Sequence, residues 1–72
     1  SADFRAGLCK TLAYAGQLTE AFAECRKAVE LEENSLLANT NLILVLQMQN
    51  RPAAEILNLT EKTLQKFPDD IN

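Results

Sequence analysis

The stretch that decides the fold is Gly16-Gln17-Leu18-Thr19-Glu20-Ala21-Phe22-Ala23-Glu24-Cys25-Arg26-Lys27-Ala28-Val29-Glu30-Leu31-Glu32. Within it Leu18, Ala21, Phe22, Cys25, Ala28 and Val29 recur at the spacing of one helix face, while Thr19, Glu20, Arg26, Lys27 and Glu30 fill the other. The pattern predicts a helix over 18–32. Gly16 stands in front of it and supplies, without steric cost, the left-handed residue that ends a preceding helix. Ala21 and Ala28 are small enough to let a partner helix cross closely. The stretch therefore reads as the turn and second helix of a helical hairpin.

Working outward, a first helix is expected over 2–15, with Phe4, Leu8 and Leu12 on its core face. Downstream, Asn34 or Ser35 caps a third helix over 36–49, because a short side-chain oxygen accepts one of the orphan backbone N–H groups. That helix carries two apolar stripes, nearly opposite one another: Ala38, Leu42, Val45, Leu46 and Gln49, and Leu37, Leu44 and Met48. A helix apolar on two sides is sandwiched between neighbours or offers one side to a ligand. Asn50-Arg51-Pro52 forms the next break, and Pro52 suits a first helical position. A fourth helix, with Ala53, Ile56, Leu57, Thr60, Leu64 and Phe67 inward, is expected to end at Pro68. The fold class is all-α: two antiparallel helix hairpins, four helices, stacked as an α-solenoid fragment.

The breaks repeat. Gly16 and Asn50 lie 34 residues apart, and Glu33 and Pro68 lie 35 apart. Leu8 falls on Leu42 and Leu12 on Leu46; with a one-residue insertion near Arg51, Ala28 and Val29 fall on Thr63 and Leu64. A period near 34 marks a helical repeat array. The expected organisation is one domain over 1–72, with repeats at 2–34 and 35–69.

Leu8, Leu12, Gly16, Ala21 and the run Ala28-Val29-Glu30-Leu31-Glu32 together resemble the tetratricopeptide repeat family. The resemblance covers nearly the whole chain. The second unit matches at Leu42, Leu46 and Pro68 but departs where the family has small residues, holding Ile43, Ile56 and Thr63. The resemblance implies a protein–protein interaction module of scaffold or adaptor type, cut from a longer array, that binds a peptide or helix of a partner on a concave face lined by the first and third helices. It also implies possible self-association through exposed repeat ends. Some members of the family grip chaperone carboxylate tails with a Lys and several Asn. Here only Asn41 stands at such a place, so that activity is not expected.

On the expected concave face, Lys10 and Tyr14 come from the first helix, and Leu37, Asn41, Leu44, Gln47 and Met48 from the third. Leu37, Leu44 and Met48 form an apolar floor, Tyr14 an amphipathic anchor, and Lys10, Asn41 and Gln47 a polar rim. The bland alternative is that the apolar three pack against a neighbouring repeat.

Composition bounds what else is open. The chain has 72 residues, no His and a net charge of −3. Without His, imidazole acid–base chemistry and the usual zinc sites are excluded. Seven scattered Lys and Arg leave no basic stripe for nucleic acid. The longest apolar run, 42–46, is far too short for a membrane span. Glu20 and Glu24 lie one turn apart on a polar face and read as solvated. Asn58-Leu59-Thr60 matches a glycosylation sequon inside a helix and reads as chance. No catalytic residue, cofactor or metal site is expected, and a cytoplasmic setting is. Cys9 and Cys25 flank the Gly16 turn almost symmetrically. They read as reduced, buried thiols, with a disulfide across the hairpin as the lesser alternative. The alternative function is an acyl- or peptidyl-carrier-like four-helix protein with Ser35 as its attachment site.

Overall fold

The computed structural model describes residues 1–67 and is all-α, with four helices: α1 (Ala2–Tyr14), α2 (Leu18–Leu31), α3 (Leu36–Met48) and α4 (Ala53–Lys66). No strand occurs among the described residues. Each helix stands within a residue or two of its expected bounds. Pro68, the expected terminator of α4, and the end of the second repeat lie outside the described residues.

Local chemistry explains the ends. Ser1 Oγ accepts a hydrogen bond from Phe4 N–H at 3.3 Å, and Ser35 Oγ accepts one from Ala38 N–H at 3.1 Å. These are N-caps, each satisfying one orphan donor. At the other end, Gly16 (φ +85°) follows α1 and Asn50 (φ +57°) follows α3, both left-handed. Gln17 N–H donates to Leu12 O, and Arg51 N–H donates to Leu46 O. Both turns thus close with the same six-to-one bond, and Asn tolerates at Asn50 the φ that Gly supplies at Gly16. Caps and turns of α1 and α3 coincide at the 34-residue offset read from the sequence.

The core sits where α1, α2 and α3 meet, and small residues build it. Ala2, Ala6, Cys9 and Ala13 form the buried row of α1, and Ala21, Cys25 and Ala28 that of α2. Ala6, Ala28 and Ala38, one from each helix, are wholly buried together. Beside them, Leu42 and Val45 of α3 close over Cys9, Ala13, Ala21 and Cys25.

Two expectations are corrected here. The first concerns α1: Phe4 is 71% exposed and Leu8 37% exposed, so the core row is the small one and only Leu12 of the expected three packs inward. The reason is distance. Backbones this close leave no room for a large side chain at the crossing, so the bulky residues turn out. The second concerns the thiols. Cys9 and Cys25 are both fully buried as expected, but they are joined as a disulfide, with Cα atoms 5.3 Å apart, the separation such a bridge requires.

The second hairpin is looser. α4 packs helix-to-helix on α3 alone, and far less extensively than α2 packs on α1. At the offset positions Leu36 and Ile43 replace Ala2 and Cys9, and Ile56 and Thr60 replace Ala21 and Cys25, so these helices are held apart. Of α4 only Thr63 is buried, its hydroxyl donating to Leu59 O within the helix. Leu57 and Ala53, expected inward, are exposed, while Ile56, Thr60, Leu64 and Phe67 are half-buried.

Two outcomes are expected. Reducing the Cys9–Cys25 bridge, which closes a loop of 16 residues, lowers unfolding free energy by about 3 kcal/mol in urea titrations; an unchanged midpoint in the presence of a reductant contradicts a bridged native state. Ala28→Leu overpacks the three-alanine junction and costs about 1–3 kcal/mol, and a neutral result removes Ala28 from a helix crossing.

Candidate functional site

The α1–α3 face is set by one hydrogen bond. Asn41 Nδ2 donates to Ala6 O at 3.0 Å, with Asn41 only 6% exposed. It fixes α1 beside α3, and the candidate residues follow from its register. Lys10 and Tyr14 stand one and two turns beyond Ala6; Leu37, Leu44 and Met48 stand four residues before, three after and seven after Asn41. They fall on the adjoining shoulders of the two helices. Tyr14 is 67% and Leu37 44% exposed. Lys10 and Gln47 are exposed, and Leu44 is half-buried.

Two of the seven candidates play other parts. Asn41 was expected on the polar rim; it is buried and consumed in joining the helices, because a buried amide must find a partner. Met48 is half-buried and packs against the Cys9–Cys25 cluster, so it supports the floor from beneath.

Ser35, the attachment residue of the carrier reading, is buried, and its hydroxyl is engaged as the α3 cap. The Glu24 side chain is half-buried and ion-paired rather than free in solvent: its carboxylate lies 3.0 Å from Arg5 Nη1 and 3.9 Å from Lys27 Nζ. Among the described residues no cluster of three metal-binding side chains occurs and no helix is long and apolar enough to cross a membrane.

The structure also holds a groove that the sequence reading missed. Because α4 does not reach α2, an open slot of about 390 Å³ remains between them. Leu42 and Leu46 of α3 form its floor; Phe22, Arg26, Val29 and Glu30 line one wall, and Glu55, Asn58, Leu59 and Lys62 the other. Periodicity had already placed Phe22 and Val29 on the apolar face of α2. What it does not give is that no helix covers them. A third apolar feature is Phe4, with Leu8 on the same side of α1; Leu31 is 62% exposed beside Arg5 at the adjoining end of α2.

No family model matches the chain, nor does any curated protein or solved structure.

Asn41→Ala removes the α1–α3 tie and is expected to cost about 1–2 kcal/mol in chemical denaturation, whereas Gln47→Ala, on the exposed side of the same helix, changes stability by less than about 0.5 kcal/mol. Equal effects from the two would show that Asn41 does not hold the helices together.

Proposed function

We propose that this chain is a protein-binding helical module of tetratricopeptide-like scaffold type, which holds a peptide or helix of a partner protein across the α1–α3 face. The observation that carries the reading is the Asn41–Ala6 hydrogen bond. In that register Tyr14 and Leu37, both exposed, stand toward opposite ends of the α1–α3 face, and the half-buried Leu44 and the exposed Lys10 and Gln47 come between them along it, which supports an extended contact.

Apolar residues spaced along a helix face with polar groups among them mark an interaction surface. Tyr suits the part, since its ring contributes apolar area and its hydroxyl stays in water. The carrier reading gains no support, since Ser35 is buried and its hydroxyl is engaged as the α3 cap.

A second reading, self-association, rests on a separate observation. Phe4 and Leu31, 71% and 62% exposed, flank the Arg5–Glu24 ion pair on the outside of the first hairpin, where a second copy would cover them.

The deciding experiment selects ligands from a random peptide library displayed on phage, with the immobilised chain as bait. Ligands that lose at least tenfold in affinity to Tyr14→Ala/Leu37→Asp, while the variant keeps its helical circular dichroism and melting temperature, support the face. Failure to select any ligand, or unchanged affinity of every ligand, removes it. Sedimentation of the native chain against Phe4→Ser/Leu31→Ser decides the second reading: a monomer at all concentrations ends it.

A further inference from the structure

The α2–α4 groove has an apolar floor and an unequal set of charges. Glu55 is taken by Arg51: Nη2 lies 2.9 Å from Oε1, and Nε donates to Oε2 at 3.2 Å. Such a paired fork neutralises both groups. What is left along the slot is Arg26 on one wall and Lys62 on the other, both exposed and in no ion pair among the described residues, against the single carboxylate of Glu30. The groove therefore presents excess positive charge in a chain whose net charge is −3.

One of the two cations left along the slot, Arg26, lies at Phe22. The Arg26 guanidinium lies 5.7 Å from the ring centroid and that of Arg51 5.9 Å from it. The ring faces attract both cations. Arg51 is already paired with Glu55, so Arg26 is the cation on this ring that is left to engage an added anion.

The slot is open along its length rather than enclosed. That shape suits a segment of chain that enters from the side. A volume of about 390 Å³ is near the lower end of ligand-binding clefts, roughly 300–1,000 Å³, enough for one or two bulky side chains.

We propose that the α2–α4 groove is a second docking site, distinct from the α1–α3 face, for a partner peptide in which a bulky apolar residue is flanked by acidic residues. The apolar side chain seats on Leu42 and Leu46 between Val29 and Leu59. The carboxylates pair with Arg26 on one wall and Lys62 on the other. Arg26 gains most, because its guanidinium is already held over Phe22 and loses little freedom when a carboxylate engages it.

The test is a phage-display selection from a library in which one Leu or Phe is flanked by randomised positions. Bait is the Tyr14→Ala/Leu37→Asp chain, so that binding at the other face does not contribute. Peptides enriched in Asp and Glu beside the apolar residue are expected. Their affinity falls at least tenfold on Arg26→Glu/Lys62→Glu, and the same charge-reversed chain selects Lys- and Arg-flanked peptides instead. Should that variant lose its helical circular dichroism, Arg26→Gln/Lys62→Gln is read in its place, with a loss of at least threefold expected. Leu59→Asp abolishes binding of both peptide classes. A selection that yields no ligand, ligands without acidic bias, or acidic ligands whose affinity survives the charge changes within twofold each overturns the proposal, and each leaves the α1–α3 reading standing or failing on its own variants.

Discussion

Everything in this fold depends on how closely α1 approaches α2 and α3. The approach is possible because the facing positions are small: Ala2, Ala6, Cys9 and Ala13 against Ala21, Cys25, Ala28 and Ala38. Close approach lets the Cys9 and Cys25 sulfurs meet, and the bridge then holds the two helices in one register. A chain this short buries a modest fraction of its surface, roughly 60%. A covalent tie between the first two helices offsets that deficit by restricting the unfolded chain. The cost appears on the outside. With small residues at the crossing, Phe4 and Leu8 of α1 have nowhere inward to go and face water, while Leu12 packs beside the small row.

The sequence was most informative where single residues decide backbone conformation. Gly16 marks the end of one helix, Asn34 or Ser35 the start of the third and Pro52 the start of the fourth, where the structure has Ser35 and Pro52 as the N-caps; the spacing of Gly16 and Asn50 is the offset that the caps and turns of α1 and α3 obey. It was least informative about which face of a helix is buried. Size misled the reading of α1: Phe4, Leu8 and Leu12 form a more hydrophobic row than Ala2, Ala6, Cys9 and Ala13, but helix separation rather than hydrophobicity sets the inner face. The Ala row was present in the sequence at the right spacing, and Cys9 within it, opposite Cys25, was the signal that could have chosen it. Asn41 was misplaced for a related reason. A polar residue among Leu37, Leu44 and Met48 looks like a rim until a carbonyl is found facing it, and that carbonyl, of Ala6, belongs to another helix.

The second hairpin repeats the first in its caps but not in its seam. Serine caps and left-handed turns are local devices, specified by one or two residues, and they survive at Ser35 and Asn50. The close seam needs a whole row of small residues on two helices. Leu36, Ile43, Ile56 and Thr60 break that row, and α4 stands off with Thr63 as its only buried residue. Its tie to the rest is correspondingly light: Leu59 against the core cluster, and Lys66 Nζ donating to Glu33 O at 3.2 Å.

The looseness of α4 and the existence of the groove are therefore one fact. Were α3 and α4 as close as α1 and α2, side chains of α4 would fill the space beside Val29, and no slot would remain. An element held by few buried contacts opens at lower free energy than one in the core. A ligand that bridges α2 and α4 gains contacts that the free chain lacks and stabilises the native state by its binding free energy. On this view the division of labour follows the residues. The disulfide-linked hairpin and α3 form the closely packed part of the molecule, and α4, kept off by bulkier side chains in its seam with α3, forms one wall of the groove.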